Sequence, residues 1–326
     1  MATSFARLVR RLVLAAAVAL AAASASSAGS DPAAASSALF DTSTQRIALS
    51  TPAPNDSPRG EPGPFSYRWP VKPFGRQHPV RGFFGDPRIS NHGESRQFHF
   101  GIDISAPNGT RVYATLSGTA HIHALHATTI EIAGANGDEF SYWHVVPTIR
   151  SGQRVIAYET VIGYIEEPYG HVHFSEKRSG RYLNPLRPGA MGPFVDDTRP
   201  EVRSVIARDG LLVAETYDET PLAIPRPWHD LPVMPALVRW RLLDAKGRVA
   251  RGWSTAADFR LTIPPASEFD DRWAPGTMQN HVRAPGSYRV VLARSLGTRR
   301  YVVEVAVSDT RGNASHARFP LDLNRS

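Results

Sequence analysis

Residues 170–176 read GHVHFSE, and this stretch decides how the surrounding chain is interpreted. His171 and His173 alternate with the apolar residues Val172 and Phe174. In an extended strand successive side chains point to opposite faces, so the two imidazoles would face a cleft while the apolar side chains face a core. The alternation therefore predicts a strand with both histidines on one face.

The chain before this strand has the same short-strand character. Apolar or alternating runs of about four to eight residues stop at turn signals, among them the Asn-Gly pairs at 108–109 and 136–137. The runs are GTRVYATLSG (109–118), TTIEIAG (128–134), EFSYWHVV (139–146) and RVIAYETVIGYI (154–165). Helical spacing of apolar residues is not sustained in this region. The pattern predicts an antiparallel β domain at 65–195.

A second β pattern follows at 196–326. LVRWRLLDAKGRVARGW (237–253) is typical of a hairpin that turns at 244–247, and two further strands follow in GSYRVVLARS (286–295) and RRYVVEVAVSDTRGN (299–313). The closing turn at 309–313 resembles those of bacterial immunoglobulin-like modules. The sequence thus predicts an all-β chain in which a β-sandwich accessory domain follows the first β domain.

The N-terminal part is predicted to direct export. Arginines at 7, 10 and 11 precede an apolar run at 12–23 and then small residues, which is the order of a secretory signal peptide, 1–25, with cleavage alternatively after 28. Residues 26–64 are rich in Ala, Ser and Pro and are predicted to form a disordered linker. The expected location is the periplasm, the cell envelope or the medium.

Composition limits the possible chemistry. The sequence contains no cysteine, so disulfides and thiolate-bound zinc are excluded, and a metal site must use nitrogen and oxygen ligands. The net charge of +7 fits either contact with anionic envelope polymers or arginines used in place of lysines on solvated faces. No basic run with interleaved aromatic residues indicates nucleic acid binding.

A possible metal site begins in QFHFGIDIS (97–105), which contains the only His-x3-Asp of the chain, His99 and Asp103. In an extended segment these side chains share a face, with Gly101 leaving space between them. Together with His171 or His173 they would make the three-ligand set of a catalytic zinc, which leaves the fourth position for water. The remaining histidine of that pair and His144 are both candidates for the base that accepts the proton of the water.

Several of these stretches carry a family resemblance. FHFGIDISAPNGTRVYATLSGTA (98–120), YWHVV (142–146), SGQRVIAYETVIGYI (151–165), GHVHF (170–174) and NPL (184–186) occur in the order seen in lysostaphin-like (LytM-type) zinc metalloendopeptidases of bacterial cell walls. The resemblance covers roughly residues 66–190 and implies Zn²⁺ as the cofactor. It implies His99, Asp103 and His173 as metal ligands, His171 as general base and His144 as the group that orients water or stabilises the transition state, roles that the last two residues could share or exchange.

The implied function is hydrolysis of peptide bonds in peptidoglycan stem peptides or cross-links. The alternative is a non-catalytic factor that binds or regulates the cell wall with the same fold. Peptidoglycan peptides are the expected partners, and the C-terminal domain is a candidate for binding envelope polymers or a wall protein. In a further alternative, the C-terminal domain carries the main function, as an adhesion or polymer-binding module.

Four residues are candidates for substrate binding: Tyr142, Tyr169, Glu166 and Glu167. The sequence departs from the family in having Glu166 and Glu167 before the His-x-His, and two carboxylates at the cleft would disfavour an acidic substrate segment. Trp143 is interpreted as a core residue rather than a residue that stacks on substrate. A second His-x-His, His121 and His123, together with His126, is interpreted as ordinary strand histidines because the family has no ligand there.

Overall fold

The computed structural model describes residues 65–89, 96–228, 231–279, 286–294 and 300–322. The predicted signal peptide (1–25) and linker (26–64) lie outside the described residues. By backbone contacts, the described residues all belong to one compact unit, 47–326. Within them, no helix has both the length and the apolar character needed to cross a membrane.

Short strands form most of the region before residue 195. They are β1 (Val80–Gly82), β2 (Pro87–Ile89), β3 (Arg96–Phe98), β4 (Ile102–Ser105), β5 (Arg111–Tyr113), β6 (Gly118–Ile122), β7 (Thr129–Ala133), β8 (Asp138–Trp143), β9 (Val145–Pro147), β10 (Arg154–Val155), β11 (Val161–Ile165), β12 (His171–Arg178) and β13 (Arg181–Leu183), with a 3₁₀ turn at Ala135–Gly137.

The largest sheet places the GHVHFSE strand at its centre. Its order is β1-β4-β12-β8-β7-β6-β10, with β13 also paired to β12, while β5-β11-β9 and β2-β3 form smaller sheets. The strand pairs are antiparallel, as the sequence predicts. Because β12 lies between β4 and β8, its side chains on each face of the sheet lie next to side chains of both neighbouring strands.

The region after residue 195 forms two more antiparallel sheets. The strands are β14 (Glu201–Arg208), β15 (Leu211–Tyr217), β16 (Leu237–Leu243), β17 (Val249–Asp258), β18 (Tyr288–Arg294), β19 (Arg300–Ser308) and β20 (Ala314–Asp322), with a 3₁₀ turn at Ala266–Glu268 and a short helix α1 (Phe269–Arg272). The sheet orders are β14-β15-β18 and β17-β16-β19-β20. The predicted hairpin is confirmed: β16 pairs with β17 around the turn at 244–247. The all-β, antiparallel fold class is confirmed as well.

Burial follows the alternation that the sequence predicts for β12. Val172 and Phe174 are fully buried, and the ring of Phe174 packs against those of Tyr67, Phe140 and Tyr142. Burying such side chains stabilises the fold by roughly 1.5–3 kcal/mol each. This packing fixes the strand so that His171 and His173 face the opposite way.

The strands before and after residue 195 pair in separate sheets but share one apolar core. Phe98, at the end of β3, packs against Phe259 and Phe269, with ring centroids 5.6 and 5.4 Å apart. The side-chain amide of Asn184 donates to the carbonyl of Phe259, and the backbone N–H of Asn184 donates to that of Leu261. The domain division at 195/196 and the immunoglobulin-like character of 196–326 stay predictions.

Phe259 is predicted to be essential to this shared core. It is fully buried, its ring is stacked on Trp273 with a 4° angle between the planes, and Gly85 lies so close that a Cβ there would clash with the ring. We expect Phe259→Ala to lower the free energy of unfolding by about 3–5 kcal/mol, because the cavity cannot close. Urea unfolding followed by circular dichroism measures the loss.

Leu261→Ala is the matched control, since Leu261 lies two residues along the chain and its side chain is 56% exposed. Its expected effect is within about 0.5 kcal/mol. Equal effects of the two substitutions would contradict the shared core.

Asp218 is predicted to make stability depend on pH. Its side chain is buried, and Oδ2 has no hydrogen-bond partner among the described residues. Burial, followed by the charges of Asp196 and Asp309, raises the pKa of Asp218 to about 8, although the backbone N–H of Glu219 and the Thr198 hydroxyl lower it. The raised pKa means that folding favours the protonated carboxyl. The stabilisation is complete below the ordinary pKa of 3.8 and is lost as pH rises through about 8.

We therefore expect Asp218→Asn to be nearly neutral at acidic pH and to stabilise the protein by roughly 1–3 kcal/mol at slightly alkaline pH. The free energy of unfolding in urea is measured at both pH values for the variant and for the unsubstituted protein, and the difference between the two is compared. Asp209→Asn, at an exposed aspartate, is the control and should show no such trend. A difference that does not grow with pH would refute the prediction.

Candidate metal centre

Three side chains from separate elements converge on one point. His99 follows β3, Asp103 lies on β4, and His173 lies on β12 directly opposite Asp103 in the strand register. The distances are 2.7 Å from His99 Nε2 to His173 Nδ1, 3.1 Å from His173 Nδ1 to Asp103 Oδ1, and 3.2 Å from His99 Nε2 to Asp103 Oδ1. All three side chains are buried. Two nitrogens and a carboxylate oxygen therefore face one another without solvent between them.

The second nitrogen of each histidine has its own partner. His99 Nδ1 lies 2.8 Å from the carbonyl oxygen of Phe83, to which it donates, and His173 Nε2 lies 2.8 Å from Ser175 Oγ. Because the N–H of His99 Nδ1 donates to the Phe83 carbonyl, Nε2 carries the lone pair, which points into the cluster. Such outer hydrogen bonds orient histidines that bind metals.

Asp103 divides its two oxygens between different partners. Oδ1 faces the histidines, whereas Oδ2 accepts a hydrogen bond from Arg88 Nη2 at 2.9 Å. Burial alone would raise the pKa of Asp103, but the His99 and His171 imidazoles and the hydrogen bond with His173 hold it well below its usual range. The carboxylate is thus ionised and presents one oxygen to the cluster.

Two glycines leave the space that this arrangement needs. A Cβ at Gly82 would collide with Asp103 Oδ2, and a Cβ at Gly101 would lie 2.8 Å from His173 Nε2. The sequence predicts the role of Gly101, although residues 99–101 form a break between β3 and β4 rather than one continuous strand.

The donor set fits a zinc ion. Nitrogen and carboxylate oxygen ligands are those that zinc takes in hydrolytic sites, with one position left for water. Burial, with the Arg88 charge as the next cause, lowers the pKa of His99 to about 3, so this ring is neutral at pH 7 and can ligate without first losing a proton. Among the described residues, no other group of three or more His, Asp, Glu or Cys side chains brings its ligand atoms within 4.8 Å of one another.

His171 lies on the same face of β12, next to the cluster. Its Nε2 is 3.5 Å from Asp103 Oδ1, and its Nδ1 is 2.9 Å from the Tyr169 carbonyl and 2.7 Å from Arg81 Nη2. The carbonyl fits the tautomer with the proton on Nδ1, whereas the guanidinium fits the tautomer with the proton on Nε2. Burial is the main cause that lowers the pKa of His171 to about 4, so the ring is neutral at pH 7.

His144 lies beside His171, at the junction of β8 and β9. Its φ of 63° is in the left-handed region, which non-glycine residues adopt at an energetic cost and often at functional sites. The ring is stacked on Tyr169 at 3.8 Å and lies 4.8 Å from the ring of His171. Burial, followed by the His171 charge, lowers the pKa of His144 to about 3.

The cluster opens into a cavity of about 440 Å³. Its walls include residues that the sequence did not indicate, and the lining consists of Arg81, Arg88, Ile89, Gln97, Phe98, His99, Phe100, Asp103, Trp143, His144, Tyr169, His171, His173 and Trp228. No local pattern distinguishes Arg81 or Trp228, because each reaches the cavity only through the fold.

Of the four predicted substrate-binding residues, one lines the cavity and three do not. Tyr169 lines the cavity. Tyr142 is fully buried, with its hydroxyl bonded to Thr115, so it packs in the core and does not reach the cavity. Glu166 and Glu167 are outside the cavity lining, whose charged walls are instead arginines and Asp103.

The remaining aromatic and histidine predictions concern β6–β8. Trp143, interpreted from sequence as core, lines the cavity because its strand partner is His173. His121, His123 and His126 are exposed and lie outside the cavity lining, but only His121 is a strand residue, because β6 ends at Ile122 and the other two lie in the connection to β7.

Comparison with known proteins gives partial likenesses to solved structures. No model of a protein family and no curated protein matches the chain. A SpoIIIAH–SpoIIQ complex matches with 22% identity over 37% of this chain and 98% of the other, at a TM-score of 0.30. A zinc-containing peptidase from Vibrio cholerae matches with 22% identity over 36% of this chain and 38% of the other, also at 0.30. The catalytic domain of lysostaphin from Staphylococcus simulans matches with 21% identity over 33% of this chain and 90% of the other, at 0.28. At these values the functional assignment depends on the site itself.

Proposed function

We propose that this chain is an exported, zinc-dependent endopeptidase that hydrolyses peptide bonds in bacterial peptidoglycan, in stem peptides or cross-links. The observation that carries the proposal is the convergence of His99, Asp103 and His173 at the base of a cavity that two further neutral histidines also line. A structural metal would need no such neighbours and no open cavity.

Zinc would be held by His99 Nε2, His173 Nδ1 and Asp103 Oδ1, where it would supply Lewis-acid polarisation of the scissile carbonyl and lower the pKa of a water molecule. Arg88 keeps Asp103 Oδ2 occupied, so Oδ1 stays directed at the cluster. The Phe83 carbonyl and Ser175 hold the two ligand rings in orientation.

His171 is the proposed general base. The base role requires the tautomer that donates Nδ1–H to the Tyr169 carbonyl, not the one that accepts from Arg81 at Nδ1; in it the Nε2 lone pair faces the cluster and can accept the proton of the attacking water. The same nitrogen then returns the proton to the leaving amine as the peptide bond breaks. The rigid β12 strand keeps this nitrogen beside the ligands.

His144 is the proposed donor to the oxyanion that develops on the scissile carbonyl. A neutral imidazole carries one N–H that can make this hydrogen bond, and stacking on Tyr169 fixes the plane of the ring. The backbone N–H of Glu166 donates to the His144 carbonyl and helps to hold the left-handed turn.

Release of new amino groups from purified peptidoglycan tests the proposal. The protein is assayed as purified, after chelation, and after zinc is added back. We expect release that disappears with the chelator and returns with zinc, and the new amino-terminal residue would identify the bond. No release by protein shown to contain zinc would contradict the proposal and favour a non-catalytic wall-binding factor.

A further inference from the structure

Trp228, from the region after residue 195, lines the cavity of the metal centre. It lies in the connection between β15 and β16, yet it lines the same cavity as His171 and His173. Its side chain is partly buried and packs against the shared core. One wall of the cleft is thus supplied by the region after residue 195, for which the sequence predicts a separate accessory domain.

A stacking contact joins this wall to the proposed general base. The guanidinium carbon of Arg81 lies 4.5 Å from the centroid of the Trp228 ring, and Arg81 Nη2 lies 2.7 Å from His171 Nδ1. Stacking between a guanidinium and an indole is attractive and orients both planar groups. Trp228 is therefore held at the cleft from its Arg81 side as well as by its own segment.

The segment that carries Trp228 is anchored at its base. Val233 N–H donates to the Asp218 carbonyl, and the two residues form an antiparallel bridge, while the Trp228 N–H donates to the Pro225 carbonyl in a turn. The surrounding strands are fixed to the N-terminal part by the Phe98–Phe259 packing and by the hydrogen bond from Ile89 N–H to Gln279 Oε1. The base of the segment is thus closed by hydrogen bonds, and the indole itself contacts Arg81 at the cavity.

We propose that Trp228 is a specificity-determining residue of the cleft, which limits the size of the substrate residue beside the scissile bond. This inference rests on the proposed peptidase function. An indole in this position admits small side chains next to the metal centre and excludes bulky ones by steric overlap. The region after residue 195 accordingly contributes to the peptidase site through Trp228.

The test uses three substrates: the muropeptide that the unsubstituted protein cleaves, and two synthetic copies of it. In one copy phenylalanine replaces the residue before the cleaved bond, and in the other it replaces the residue after that bond. For each substrate, kcat/KM is measured for the natural sequence, Trp228→Phe and Trp228→Ala. For each bulky copy, kcat/KM is divided by kcat/KM for the natural muropeptide. We expect Trp228→Ala to raise this ratio by about 10-fold or more for at least one copy, a change typical of altered pocket size. Trp228→Phe, which keeps a ring against Arg81, should give a smaller rise of the same sign.

Zinc content and thermal stability are measured for every variant. Trp253→Ala is the matched control, because Trp253, on β17, also lies against arginines, Arg239 and Arg241, but is outside the cavity lining. An unchanged ratio in folded, zinc-containing Trp228 variants, or an equal change in the Trp253 variant, would overturn the inference while the proposed function stands. If Trp228→Ala does not fold, the Trp228→Phe ratio decides. Failure of the natural sequence to cleave any peptide or peptidoglycan would refute the proposed function, and this inference with it.

Discussion

Replacing His173 by alanine is expected to remove zinc and hydrolysis together. His173 Nδ1 is the ligand atom closest to both partners, 2.7 Å from His99 Nε2 and 3.1 Å from Asp103 Oδ1. Two remaining ligands do not make the three-ligand set of a catalytic zinc. The zinc content should fall from roughly one ion per chain to near background. The release of amino groups from peptidoglycan should fall to the level seen with the chelator-treated protein.

His121→Ala is the control for this change, because His121 is an exposed histidine of the other His-x-His and lies outside the cavity. It should leave zinc content and turnover as they are. Full zinc content in the His173 variant would show that the ion binds elsewhere, and the proposed ligand set would then be wrong.

Replacing His171 by alanine is expected to separate metal binding from turnover. His171 is beside the three ligands but makes its own contacts, to the Tyr169 carbonyl and Arg81. We expect zinc to remain and the rate to fall by about 10²–10⁴-fold, the usual contribution of a general base. Metal analysis and amino-group release on the same preparation measure the two effects.

His123→Ala, at an exposed histidine of the other His-x-His, should change neither quantity. A His171 variant that loses its metal would contradict the division of roles between the two histidines of β12, and it would identify His171 as a ligand. A variant that keeps both metal and full rate would leave His144 as the base.

Local periodicity was sufficient to predict the centre of this fold. The alternation at 171–174 gives a strand with Val172 and Phe174 inward, and both side chains are fully buried. The spacing of His99 and Asp103 placed two candidate ligands together, and the resemblance to a peptidase family selected His173 as the third. The structure adds the register that makes this possible, since β12 pairs with β4 so that His173 lies opposite Asp103.

Register also explains what the sequence did not reveal. Tyr142 pairs with Phe174 and Trp143 pairs with His173, so the tyrosine shares the core face and the tryptophan shares the cavity face. A single sequence gives the alternation of the two aromatic residues but not which of them faces the histidines. The polar glutamates before β12 looked like cleft residues by proximity in sequence, yet they lie outside the lining.

The arginines and the tryptophan that line the cavity have no local pattern that predicts them. Arg81 and Arg88 lie on β1 and β2, before the His-x3-Asp motif, and the pairing of β1 with β4 places Arg81 beside the site. Trp228 lies in a connection between strands after residue 195, and its position depends on docking through Phe98 and Phe259, a long-range contact with no signature of its own. An isolated β domain predicted from periodicity lacks this wall of the cleft.

Anomalous X-ray scattering at the zinc edge, from crystals of the protein supplied with zinc, would locate the ion directly. We expect one strong peak, bonded to His99 Nε2, His173 Nδ1 and Asp103 Oδ1, with His171 nearby and not bonded. A peak at His121 or His123, or no peak between the three predicted ligands, would contradict the proposed metal site.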